Sequence, residues 1–350
     1  CDSDLITYIY QNGSKNFNSS ALQVILGQNH PSLMKKLDFI KFEGKTNTKI
    51  SGDYRRKFFL GTKVFGNLLK VYDEEFDGFE TNLEVRNDKL VMSPIVLKKK
   101  DSHLFLDGVI DFKKDVITGK ITGEDLEISR FYYLKKIFGN YKGKADIELT
   151  HDGTVKNGSG HFRLDFRGLN NQFLNLKNSM LEIKKNRRNV RFKSSFFNNM
   201  INFTGDLDLG GRSRSHIETK VDIFNLKDLI SIYKPNIFSE EKFKSAMKFE
   251  LSSDFYINKL SSLNLELFAE DIYFKRKNTD LFLRYPNNKI VIKNGKIEEF
   301  NISMAGPQNY LNFYAEPGKI ANSKVFIDSY IDSDLIEIFL LDELDFKPGG

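Results

Sequence analysis

A chain of 350 residues that is 40% hydrophobic and 29% charged can bury a core, which excludes a disordered tail. Its net charge of +6 is spread among interspersed lysines and acids, densest at Lys98-Lys99-Lys100 and Lys184 to Arg188, so no basic stripe points to nucleic acid. The single cysteine excludes an internal disulfide framework, and no apolar run approaches the ~20 residues of a membrane helix.

The chain opens "CDSDLITYIY", and Asp2-Ser3-Asp4-Leu5-Ile6 recurs as Asp332-Ser333-Asp334-Leu335-Ile336. Both copies read as the cap and first turn of a short amphipathic helix. On this reading the sequence begins partway through a unit and Cys1 is a cut site; the alternative is an acylated lipoprotein terminus. A weaker helix is expected over "FGNLLKVYDE", residues 65 to 74.

From there alternation of period two dominates, as expected for strands with one dry and one wet face. "LFLDGVIDF" carries Leu106, Ile110 and Phe112 in one phase. "ISRFYYLKKIFG" then switches to helical spacing at Phe131, Leu134 and Ile137-Phe138, with Ser129 as cap and Gly139 as stop. "KADIELT" sets Ala145, Ile147 and Leu149 against Lys144, Asp146 and Glu148. "GHFRLDFRGL" sets Phe162, Leu164 and Phe166 against His161, Arg163, Asp165 and Arg167. Phe203, Leu207 and Leu209 share one phase of "NFTGDLDL", and Ile217, Val221 and Ile223 one phase of "HIETKVDI".

A second helix is expected over "FNLKDLISIYKP", capped by Asn225 and ended before Pro235. Strands resume in "MKFELS" (Phe249, Leu251), "LNLELFAE" (Leu265, Leu267), "FNISMA" (Ile302), "LNFYAE" (Phe313) and "KVFIDSY" (Ile327). The helix of "DSDLIEIFLLDEL" closes the chain. Turn signals such as "HDGTVKNGSG", "LGGRS" and "KNGK" separate the runs.

The fold class is therefore all-β: roughly twenty or more strands in a long, curled antiparallel sheet with a few short amphipathic helices. The whole chain, residues 1–350, reads as one continuous repeat-like sheet, with loose units near 1–66, 67–128, 129–224, 225–331 and 332–350. A sheet with one apolar face must cover it, by a second sheet, by closure into a barrel, or by curling into a trough. The strands continue without a change of architecture, which favours a trough of roughly 100 to 120 Å at ~4.8 Å per strand. Gly108 and Gly205 fall at strand positions where a bend or bulge helps a sheet curl. Acyl chains are a natural filler, since each buried CH₂ contributes about 0.8 kcal/mol.

Catalytic chemistry has no foothold in the pattern. His30, His103, His151, His161 and His216 are scattered and never at metal-ligand spacing, and His161 and His216 fall on wet strand phases. "FLGTK" and "ITGKITG" lack phosphate-loop spacing, and Glu240-Glu241 and Asp342-Glu343 border helices, where capping explains them. The reading is of no catalytic residue, no metal and no cofactor.

The stretch "LFLDGVIDFKKDVITGKITGEDLEISRFYYL" followed by "GNYKGKADIEL" resembles the AsmA-like repeat superfamily, most closely its TamB branch. The elements of that pattern match Leu106 to Phe112, Gly119 to Ile121, Asp125 to Leu134 and Gly143 to Leu149. A second copy runs through Phe203 to Leu209, Ile217 to Ile223 and Leu226 to Tyr233. The resemblance implies a hydrophobic groove, the β-taco, that crosses the periplasm and carries phospholipid toward the outer membrane. It implies inner-membrane anchoring by a helix elsewhere in the protein and an Omp85-type barrel as partner. It also implies a lining of the inward residues named above, from Leu106 to Ile327, that acts collectively. Two other readings stay open: a chaperone or scaffold whose sheet edges receive nascent outer-membrane strands, and a β-rich surface protein whose apolar face is buried by a second sheet.

Overall fold

The computed structural model of the chain describes residues 6–10, 17–18, 40–53, 57–86, 89–138, 142–154, 157–170, 175–176, 178–223, 244–276, 279–284 and 288–331. These residues form an all-β fold of antiparallel strands, and the only helical elements among them are one short α-helix and two 3-10 turns. The chain divides into two compact units, Cys1–Asn171 with Glu182–Arg187, and Gln172–Leu181 with Arg188–Gly350.

In the first unit β1 (Ile6–Tyr10) and β2 (Phe17–Asn18) both lie antiparallel to β3 (Ile40–Asp53), which pairs with β4 (Lys57–Val71). Both β5 (Glu74–Phe76) and β6 (Gly78–Arg86) pair with β4. The ladder continues through β7 (Lys89–Lys99), β8 (Ser102–Asp111), β9 (Val116–Glu127), β10 (Lys142–Gly153) and β11 (Ser159–Asn170), each hydrogen-bonded to the one before. Helix α1 (Tyr132–Phe138) interrupts it between β9 and β10.

The second unit begins with β12 (Asn175–Leu176) and the first residues of β13 (Ser179–Asn186). Then β14 (Asn189–Phe196), β15 (Ile201–Asp208), β16 (Ser215–Ile223), β17 (Lys244–Tyr256) and β18 (Lys259–Arg276) form a meander. The 18-residue β18 holds β19 (Thr279–Leu283) at one end and β20 (Asn288–Lys293) further back, and β21 (Lys296–Ala305) pairs with both. β22 (Tyr310–Ala315), β23 (Gly318–Lys319) and β24 (Val325–Tyr330) complete it.

Two patches are tightly packed. In the first unit Phe131, at the start of α1, sits edge-on to Phe76 with ring centroids 6.5 Å apart. The Lys99 ammonium lies 5.9 Å from the Phe76 ring centre and 5.4 Å from that of Phe131, and it is paired with Glu74. Glu74 also accepts the Tyr133 backbone N–H at 3.4 Å, satisfying one of the free donors at the helix start. A part-buried ion pair that is also hydrogen-bonded thus fastens the helix to β5 and β7, with Leu126 and Ile128 fully buried beside it in sequence. In the second unit Phe274, Leu281 and Met304 form a buried cluster, flanked by Met247, Ile272, Leu283 and Leu311.

The structure corrects three helix expectations. Residues 65–74 are not helical: β4 runs to Val71 and a turn leads into β5. The register explains the misreading, because Glu43 pairs with Leu68 while Lys45 pairs with Phe65, so β4 carries one extra residue there. Such a bulge shifts the phase of alternation and mimics helical spacing. Ile6–Tyr10 is strand as well, since "ITYIY" is rich in β-branched and aromatic residues and finds Thr48–Gly52 to pair with. The 128–139 helix exists but starts later: Ile128–Arg130 is a 3-10 turn, Ser129 caps nothing, and α1 begins at Tyr132. The helices expected over 225–235 and 332–344 lie outside the described residues.

The β15–β16 connection is held by one carboxylate. Asp208 accepts hydrogen bonds from the backbone N–H groups of Gly210, Arg212 and Ser213 at 2.8, 2.8 and 2.6 Å, and from the Ser213 hydroxyl at 2.9 Å. These donors, the Ser213 N–H foremost, pull its pKa from 3.8 down to about 2. A depressed carboxylate contributes stability above its unfolded pKa and loses it as pH falls through the folded value. Thermal melting should therefore show the native chain above Asp208→Asn at neutral pH, with the gap closing between about pH 4 and pH 2. A gap that is constant across that window would refute the assignment.

Candidate functional site: the apolar face of the sheet

Residues directly opposite in an antiparallel ladder point to the same face, so the registers define rows that run across the strands. In the first unit one row is Leu97, Leu104, Gly123, Ile147 and Leu164, and the next is Ile95, Leu106, Ile121, Leu149 and Phe162. Two residues further along β8 to β11, and three along β7 where the register shifts between Met92 and Ile95, come Met92, Gly108, Gly119, His151 and Gly160, then Leu90, Ile110, Ile117 and Gly153. All four rows share one face. Its opposite carries Asp107, Lys120, Thr150 and His161.

The second unit repeats the plan. Ile201, Val221, Phe249 and Ala269 form one row, and Phe203, Thr219, Leu251, Leu267, Ile290 and Phe300 another. Gly205, Ile217, Ser253, Leu265 and Ile292 follow beside them. Ile302, Phe313 and Ile327 make a shorter row on β21, β22 and β24.

Burial grades along these rows. Leu164, Phe166, Val221 and Ile223 are buried, and Phe166 is only 2% exposed. Leu106, Ile110, Ile147, Leu149, Phe162, Phe203, Leu207, Ile217, Phe249, Leu251, Leu265, Leu267, Ile302 and Phe313 are partly exposed. Leu209 and Phe112 fall in turns rather than strands, which corrects their expected place on a strand, and Leu209 is 51% exposed. Each sits one residue past the end of its strand, where the hairpin turn overrides the alternation. Ile327 is 64% exposed on β24.

The other face is a charge ladder. Lys120 pairs with Glu148 at 2.9 Å, Lys220 with Glu250 at 2.5 Å, and Arg167 bridges Asp125 and Asp146 at 2.8 and 2.6 Å. His161 contacts Glu182 at 2.9 Å; His216 lies between Asp254 at 2.9 Å and Glu218 at 3.1 Å, and these carboxylates raise its pKa. Exposed pairs of this kind keep the face wet and add little stability. Large apolar residues interrupt it, among them Phe105, Phe268 and Phe282, each nearly half exposed.

Among the described residues no group of three or more His, Cys, Asp or Glu side chains could hold a metal ion, and no helix is long and apolar enough to cross a membrane. Three features of the apolar face escaped the sequence reading: the flanking Ile95, Ile117 and Ile121, the side-chain role of Met92, and the alignment of Gly108, Gly119 and Gly160. Ile117 and Ile121 follow from alternation, whereas Met92 and Ile95, three residues apart, share a face only because the register shifts between them. The alignment needed the strand register, which local sequence does not fix.

No protein-family model matches the chain, and neither a curated protein nor a solved structure resembles it significantly.

The graded burial has a measurable consequence. Phe166→Ala should cost about 3–5 kcal/mol in denaturant unfolding, as for a fully buried aromatic, and Phe162→Ala, two rows away on the same strand, only about 1 kcal/mol. Equal costs would mean that the face is covered at Phe162 as fully as at Phe166.

Proposed function

We propose that this chain is a non-enzymatic lipid conduit, a stretch of apolar groove of the TamB and AsmA-like kind that shields phospholipid acyl chains in the periplasm between inner and outer membrane. The observation that carries this reading is the continuity of the apolar rows across the strands of each unit together with their partial exposure. Side chains such as Leu106, Ile121, Leu149, Leu251 and Leu267 are neither closed off like a sandwich core nor replaced by polar residues. An apolar surface of that extent is unfavourable in water unless something apolar covers it. Acyl chains meet the need without a polar recognition site, each methylene contributing about 0.8 kcal/mol. Inner-membrane anchoring and an Omp85-type barrel partner, which the resemblance implies, belong to the same proposal.

Photo-crosslinking amino acids placed at Leu251 and Leu267, and for contrast at Glu250 and Glu266 on the charged face, test it in cells. The expected result is phospholipid adducts at the two leucine positions alone. Adducts of an outer-membrane barrel precursor at those positions would favour the chaperone reading, and adducts of neither kind would overturn the conduit.

A further inference from the structure

The polar face changes character at the end of the second unit. Over β14 to β17 it is a ladder of ion pairs such as Arg191–Asp206 and Lys220–Glu250. Over β18, β19, β21, β22 and β24 the registers instead line up Tyr273, Phe282, Ala305, Tyr310 and Tyr330 in one row. These residues alternate with Phe274, Leu281, Met304 and Leu311 of the buried cluster, which fixes them on the opposite side of the sheet. Phe282, Tyr310 and Tyr330 are exposed, Tyr330 by 66%. Beside this row lie Ser303, Asn312 and Asp328, and then Asn301, Tyr314 and Phe326. Asp328 is the one charged residue of the three rows. Ion pairs frame them, Lys275–Asp280 at 3.1 Å on one side and Lys289–Glu299 at 2.8 Å on the other.

The window's groups suit a flat, hydroxylated ligand. The Tyr310 hydroxyl donates to Asp328 Oδ1 at 3.2 Å, reaching diagonally to the adjacent strand, so its ring leans along the sheet instead of standing against Tyr330. Tyr314 and Phe326, in contrast, stack on each other with centroids 5.2 Å apart and form the window's far wall. Asn312 Oδ1 accepts the Ser303 hydroxyl at 2.6 Å, which leaves the amide nitrogen as a donor. Asp328 Oδ2 and the Tyr330 hydroxyl have no protein partner among the described residues. Four strand spacings, roughly 19 Å, separate Tyr273 from Tyr330, close to one sugar unit per strand in an extended chain.

An aromatic ring offers its electron-rich face to the C–H groups of a pyranose, while amide, carboxylate and phenol groups serve the sugar hydroxyls. An anionic partner, whether lipid head groups or nucleic acid, would call for lysine or arginine here and meets Asp328 instead. A peptide strand adds to a sheet edge and not to its face. We propose that this window binds an extended, uncharged glycan, lying across the strands with its sugars on Phe282, Tyr310 and Tyr330 and their hydroxyls on Asn312 and Asp328. The site lies on the face opposite the apolar rows and does not rest on what covers them.

The test uses the full chain and saturation-transfer NMR with cellohexaose and chitohexaose, two uncharged β-linked glycans that differ in their N-acetyl groups. At least one should receive saturation at its ring C–H protons, and high salt should not weaken it, since no ion pair is involved. Tyr330→Ala, at an exposed edge position, and Phe282→Ala should each weaken binding several-fold. Phe105→Ala, on the polar face of the first unit, should leave it unchanged. Binding of neither glycan, or binding that survives both aromatic substitutions, overturns the proposal. So does a salt-sensitive association with phosphatidylglycerol vesicles that Tyr330→Ala and Phe282→Ala abolish, which would make the window a membrane contact.

Discussion

The described structure depends on an antiparallel ladder that pairs backbone with backbone across its strands but leaves one apolar face only partly covered. The antiparallel ladder pairs the N–H and C=O groups of strand after strand, and the charged face is content in water. The apolar face has no such solution within the ladder, because a strand's neighbours lie beside it and not over it. Among the described residues the cover is local: α1 with Phe131 against Phe76, held by the Lys99–Glu74 pair, in one unit, and the Phe274, Leu281 and Met304 cluster in the other. Among the described residues, rows away from these patches remain partly exposed, which is the surface the proposed lipid role would cover.

Glycine placement refines the same constraint. A glycine in a strand weakens it unless the backbone approach or a neighbouring side chain needs the room. Gly123 and Gly205 give their space to Leu104, Leu126 and Phe192, and so tighten the packing. Gly108 and Gly119, directly paired, bring two backbones closer together than a Cβ would allow. One residue type thus does opposite things on one face, and only the register separates the two uses.

The sequence made strands such as β8, β10, β11 and β15 to β18 legible, because each contains a run with a period of two, although the β9–β10 and β17–β18 ladders carry register shifts that the alternation does not reveal. It also separated wet from dry faces correctly at His161, His216, Phe162 and Leu164, since alternation alone fixes that phase. It failed where a bulge broke the phase, at residues 65–74, and where the capping signal Asp2-Ser3-Asp4 suggested helix but the β-propensity of Ile6–Tyr10 and pairing with β3 prevailed. Leu209 and Phe112 were misplaced by a single residue, at strand ends where turn chemistry takes over. The alignment of Gly108, Gly119 and Gly160 was beyond reach because it depends on which residues of several strands stand opposite one another.

The central claim is that the apolar face is uncovered by protein and covered by lipid. Maleimide labelling of single cysteines at Asp146, Ile147, Glu148 and Leu149 on β10, in a Cys1→Ala background, tests it most directly, comparing delipidated protein with protein loaded from phosphatidylglycerol vesicles. The account predicts that Ile147 and Leu149 positions label without lipid and are protected with it, while Asp146 and Glu148 positions label equally in both. Inaccessible Ile147 and Leu149 positions in the delipidated protein, or no protection by lipid, would contradict it.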